Sequence, residues 1–207
     1  MRHLLIIAVL APTTWACGGS GKPTDTCSLD MNMADTGGLS AWKAQLCNVP
    51  GSMGASHWYK LSAQLPADTK NMDYVQLELW DHAGPFATGT VHAGQFDITG
   101  ADSDPATCGV CVRGIGDKGL PTEKEYFATS GQVNVTALGA DMQPISATLA
   151  NLTFVEVSAK VLVMDGCVAD LAGTKMDGTV VKTGGTGGGG GGGGGSGAGG
   201  CKLTVGD

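Results

Sequence analysis

From position 74 the chain alternates. In YVQLELW, Val75, Leu77 and Leu79 fall on one side and Tyr74, Gln76, Glu78 and Trp80 on the other, the period of two that marks a half-buried strand. The pattern recurs in QFDI at 95–98, in EYFATSGQVNV, read as two strands hinged on Ser130-Gly131, and in SATLANLTFVEVSAKVLV at 146–163. These runs are rich in Val, Thr, Phe and Tyr and are set off by Gly, Asp or Pro. No helical pattern separates them, which argues against βαβ units. The expected fold is mainly β: an antiparallel β-sandwich or barrel-like single domain. Between Cys27 and Cys47 the pattern is weaker, and Leu39, Trp42, Ala44 and Leu46 suggest a short helical turn between Gly37-Gly38 and Pro50.

The N-terminus has the layout of a secretory signal. Met1-Arg2-His3 is a positive start, Leu4 to Ala11 a short apolar run, and Thr14-Trp15-Ala16 a polar-to-small approach to Cys17. An apolar run this short cannot span a bilayer, which takes about 20 residues. TWACGGSG resembles the lipobox of bacterial lipoproteins, in which a small residue precedes the acylated cysteine. Thr14 and Trp15 stand where such boxes usually carry Leu and a small residue, so ordinary cleavage after Ala16 is the alternative. Parity favours the lipid. The chain has 7 cysteines, and assigning Cys17 to an acyl anchor leaves Cys27, Cys47, Cys108, Cys111, Cys167 and Cys201, an even set for disulfides in an oxidising compartment.

The expected organisation is therefore a signal peptide at 1–16, a flexible tether at 17–26 and a disulfide-stapled β domain at 27–183. A polyglycine linker at 184–200 and a closing segment at 201–207 follow. The linker has a root-mean-square span of about 22 Å, enough for Cys201 to return to a domain with a radius of gyration of about 15 Å. The alternation of Leu203 and Val205 suits a returning edge strand.

Charge narrows the partners. The formal net charge is −7, with no basic cluster, so nucleic acid is not an expected partner. An acidic surface is repelled by anionic headgroups, and membrane attachment is left to the anchor.

CGVC at 108–111 is the one motif with chemistry of its own. Thioredoxin-type enzymes open a helix with the first cysteine, whose thiolate the helix dipole stabilises, but VRGIG is a poor helix start. A zinc site needs four ligands, and the other cysteines and His57, His82 and His92 lack the spacing. Structural disulfides are the leading reading and redox chemistry the alternative. Cysteines three apart in an extended strand sit about 10 Å apart, too far to bond. They pair with each other only if Gly109 turns the chain.

Asp102 and Asp104 in DITGADSDPAT are weak calcium candidates, because Asp and Ser before Pro also form turns and the loop lacks an EF-hand's glycine and distal glutamate. Trp80, with Phe86 from the following DHAGPF loop beside it, is a candidate ligand platform of the kind that receives sugars. HExxH, a nucleophile elbow and a phosphate loop are missing. No cofactor is implied.

AGQFDITGADSDPATCGVCVRGIGD, YFATSGQVNVTAL and ISATLANLTFVEV, ending at Gly166-Cys167, resemble lipoproteins of unassigned function from myxobacteria and related deltaproteobacteria, over roughly residues 90–167. The resemblance implies export, an outer-membrane lipoprotein and a cysteine-linked β-rich domain, and no catalytic residue. The sequence thus points to an envelope binding module for a protein or glycan, its loops 81–90 and 100–107 presented to the partner. A periplasmic thiol-disulfide oxidoreductase using Cys108 and Cys111 is the alternative, and a structural envelope protein a third reading.

Overall fold

The computed structural model describes residues 27–29, 32–33, 43–51, 54–66 and 73–183. The signal peptide, Cys17, the tether, the polyglycine tract and Cys201 lie outside the described residues. So does the side chain of Cys47.

Ten strands form one sheet: β1 (Asn32–Met33), β2 (Lys43–Gly51), β3 (Gly54–Gln64), β4 (Tyr74–Trp80), β5 (Gly94–Asp97), β6 (Val110–Gly116), β7 (Lys124–Leu138), β8 (Pro144–Ser158), β9 (Val161–Leu162) and β10 (Val168–Thr183). Two short 3-10 turns, Gly84–Phe86 and Gly100–Ser103, interrupt the loops before and after β5. The order is β1-β10-β2-β3-β4-β6-β7-β8-β9, with β5 against β7, and β10 also pairs with β8. Neighbours are antiparallel except where β10 meets β1 and β2. Since β10 holds β8 on one side and β2 on the other, the sheet curls round on itself, as the barrel-like reading requires.

Alternation explains the core. Val75, Leu77 and Leu79 of β4, Leu61 and Ala63 of β3, and Val110 and Val112 of β6 point inward and are almost wholly buried. Tyr126 and Ala128 of β7 and Leu152 and Phe154 of β8 complete the middle of that core. Gly114, the next inward position of β6, leaves space that Leu29 fills, since a Cβ there would lie 3.0 Å from the Leu29 side chain.

Two local expectations are corrected. Lys43–Gly51 is a strand, not a helical turn. Ala44 and Leu46, two apart, are both buried, and cross-strand pairing with β3 from Lys43 to Gly51 prevails over the weak helical spacing. EYFATSGQVNV is one continuous strand and not a hairpin. The register against β8 shifts on either side of Ser130, Gly131 takes φ +119°, and a Cβ at Gly131 would lie 2.7 Å from the Asn151 carbonyl oxygen. The glycine therefore makes a bulge that bends the long strand.

The N-terminal segment closes one end of this structure. Cys27 is bonded to Cys167 across a sequence separation of 140 residues. Behind it the Ser28 backbone N–H donates to the buried Tyr126 hydroxyl at 3.1 Å, and Leu29 is 1% exposed. Beside this plug, Glu156 accepts from Lys124 at 3.2 Å and from the Cys167 backbone N–H at 3.0 Å.

Candidate functional site

The residues of β4 that face away from the core do not face plain solvent. Gln76 and Glu78 are 2% and 6% exposed, an unusual burial for polar positions on the outer side of a sheet. Register explains their company. Glu78 stands opposite Lys60 on β3 and Cys111 on β6, Gln76 opposite Ser62 and Arg113, and Trp80 opposite Trp58. Side chains alternate, so Trp58, Lys60, Gln76, Glu78, Trp80 and Arg113 share one face.

Glu78 is the hub. Lys60 lies 3.8 Å and Arg113 3.6 Å from its carboxylate, the Gln76 amide donates to it, and the Trp80 indole N–H donates to it at 3.2 Å. Trp80 stacks on Trp58 with ring centroids 4.5 Å apart, and Lys60 lies over the Trp58 ring at 5.2 Å. Arg113 in turn lies 5.5 Å over Phe127, a planar cation held against an aromatic face. Its ion pair with Glu78 runs through Nε at 3.6 Å.

Two recesses open on this face, of about 380 Å³ and 310 Å³. They meet at Glu78, Arg113 and Lys160, which line both. The first is lined by four cations, Lys60, Arg113, Lys118 and Lys160, against three carboxylates, Glu78, Glu123 and Glu125. It is a locally cationic place on an acidic chain. Polar atoms at and beside it are unsatisfied: Gln76 Oε1, Ser62 Oγ and Trp58 Nε1 are buried with no hydrogen-bond partner among the described residues. Buried polar atoms are nearly always paired, and Gln76 and Ser62 stand directly opposite each other.

The second recess runs along Trp80, Asp81 and Pro105 to the Cys108–Cys111 disulfide. The bond closes within the motif because β6 begins only at Val110 and Gly109 bends the chain, bringing the two Cα atoms to 5.4 Å. A Cβ on Gly109 would lie 2.1 Å from the Ala83 carbonyl oxygen, so only glycine fits this turn. Cys108, Cys111, Phe127 and Val157 form a small apolar cluster against Trp80, separate from the main core. The motif leads into a strand, so no helix dipole acts on Cys108.

Of the platform, Trp80 lies where the sequence put it. Phe86 does not lie beside it, and that expectation is corrected. Phe86 is 2% exposed and packs edge-on against Phe96 and His92 at 5.1 and 5.2 Å, drawn inward by the 3-10 turn at Gly84–Phe86. Trp58 takes the partner's place.

The acidic loop holds the fold together. Asp102 accepts from the backbone N–H groups of Gly109 and Val110 at 2.8 and 3.0 Å, and Asp104 accepts from Ala106 at 2.8 Å. The two aspartates serve as a staple and a turn former, and among the described residues there is no group of three or more His, Cys, Asp or Glu placed to hold a metal. Asp81 similarly accepts from Val91 at 2.6 Å. Loop 100–107 is thus tied to the start of β6, and loop 81–90 is closed by the bond from Val91 to Asp81.

Glu78, Gln76, Arg113 and Trp58 were not singled out from the sequence. The signal available was the polar half of the YVQLELW alternation, continued by Arg113 two residues after Cys111. No family model matches the chain, and no match is found among curated proteins or solved structures.

Proposed function

We propose that this chain is an exported, non-enzymatic binding module, held at the outer membrane by an acyl group on Cys17, whose ligand is a carboxylate-bearing oligosaccharide. The observation that carries the ligand class is Arg113, its guanidinium held over Phe127 and lining both recesses. A guanidinium so placed suits a carboxylate bonded through two parallel hydrogen bonds. Trp80, lining the second recess, supplies an apolar wall for a sugar ring.

Stability does not account for the cluster. Burying Lys60, Glu78 and Arg113 together brings a desolvation penalty, and apolar replacements of such triads are often neutral or stabilising. Their place along the first recess supports a role in binding. The thiol-disulfide oxidoreductase reading has less support, because Cys108 and Cys111 are 7% and 1% exposed and lack a helix N-terminus to stabilise a thiolate.

Titration calorimetry with trigalacturonate and with neutral galactotriose tests the ligand class. Binding of the acidic trisaccharide alone, weakened about tenfold by Arg113→Ala, equivalent to about 1.4 kcal/mol, is the expected result. Equal affinity for the neutral sugar, or no affinity for either, would sink this reading. Intact mass of protein taken from the envelope tests the anchor, which requires diacylglycerol on Cys17.

A further inference from the structure

Among the described residues, exposed large apolar side chains are concentrated at one end of the sheet. Val161, Leu162, Met164 and Val168 are 67%, 40%, 89% and 42% exposed, and Asp165 is the only charged residue in this stretch. They belong to the tip of the β8–β9 hairpin and to the irregular segment that returns to β10. The turn itself is Ala159-Lys160, both at positive φ, +50° and +65°. A two-residue hairpin loop of this kind is normally built from Asn and Gly, so the tip keeps a conformation that its residues do not favour.

Cys167 lies inside this patch and is bonded to Cys27. The chain entering the domain from Cys17 is therefore fastened at the apolar tip. Nine residues lie between Cys17 and Cys27, and the ten residue steps that join them reach at most about 36 Å in any conformation. We infer that the β8–β9 tip is a membrane-docking surface, with Val161, Leu162 and Met164 entering the headgroup region of the bilayer to which Cys17 is anchored. The inference rests on the anchored reading above. Charge supports an apolar contact, since a chain of net charge −7 gains nothing from anionic lipid. Geometry supplies direction. The β7–β8 turn, with Met142 at 67% exposure, lies at the far end of the 15-residue β8, about 50 Å away.

The test uses the full processed chain purified from its envelope as Met164→Trp or Met142→Trp, each in phosphatidylcholine vesicles with dibrominated acyl chains. Intact mass of the same samples decides the anchor separately. If diacylglycerol is absent, the anchored reading fails, and quenching is then read with excess vesicles added to the free chain. The added emission of Met164→Trp, taken against the unsubstituted chain, is expected to fall by about half, as for a group at interfacial depth, while that of Met142→Trp is unchanged. Absence of quenching at position 164, or equal quenching at both positions, overturns the docking surface. A concentration-dependent dimer disrupted by Met164→Asp, with no quenching, also overturns it and makes the patch a self-association surface.

Discussion

Replacing both Cys27 and Cys167 by alanine releases the longest covalent loop the described residues define. Loop-closure entropy grows with the logarithm of the closed length, so a separation of 140 residues corresponds to about 5 kcal/mol at room temperature. The same relation for Cys108 and Cys111, 3 residues apart, gives about 2 kcal/mol. Domains are stable by about 5–15 kcal/mol in total, so the first double variant is expected to lose between about a third and all of its stability. The second remains folded. Guanidinium unfolding followed by tryptophan fluorescence measures both losses, which are expected to differ by about 3 kcal/mol. Equal losses, or a larger loss at Cys108 and Cys111, would refute the loop-length reasoning and locate the stabilisation in local packing.

Tyr126→Phe removes the acceptor for the Ser28 N–H and is expected to destabilise by about 1–3 kcal/mol. In a double-mutant cycle with Cys27→Ala its effect should shrink, since both act on the N-terminal plug, and strict additivity counts against the plug. Gly109→Ala forces a Cβ onto the Ala83 carbonyl, whereas Gly89 has nothing within 4 Å. Denaturant midpoints should show a loss of about 1–3 kcal/mol or more for the first and little change for Gly89→Ala. Burial, and after it the Asp81 carboxylate, raise the Tyr59 phenol above its ordinary value. The unfolded chain then ionises first as pH rises, so this contribution is intact below about pH 10 and is lost above it. Tyr59→Phe should flatten the alkaline decline in stability, and an unchanged decline assigns it to other groups.

Strands were legible where apolar and polar residues alternate cleanly, as in β4 and β8, because each such residue reports its own side. β10 was not. Its buried positions run Ala169, Leu171, then Gly173 and Thr174 together, then Met176, so the phase slips mid-strand and several inward residues are small. Gly131 misled because glycine marks a turn and a bulge equally well in sequence, and only the facing Asn151 distinguishes them. The candidate site was half legible. Trp80 and the cysteine pair stood out by type, but Glu78, Arg113 and Trp58 acquire meaning only from the register that aligns β3, β4 and β6. Phe86 was misplaced because loop direction depends on the 3-10 turn.

The way the sheet closes has a consequence for how it opens. β10 meets β8 from Val168 to Thr179 but meets β2 only from Val180 to Thr183. That short parallel seam, with four paired positions like the β6–β7 joint, has few ladder bonds to break, so its amides should exchange hydrogen with solvent well before those where β7 meets β8. Parting there lays bare the edge of β2, whose unpaired backbone would accept a strand from another molecule. The same seam that completes the barrel-like sheet is thus a place where heating or crowding exposes the protein to edge-to-edge aggregation.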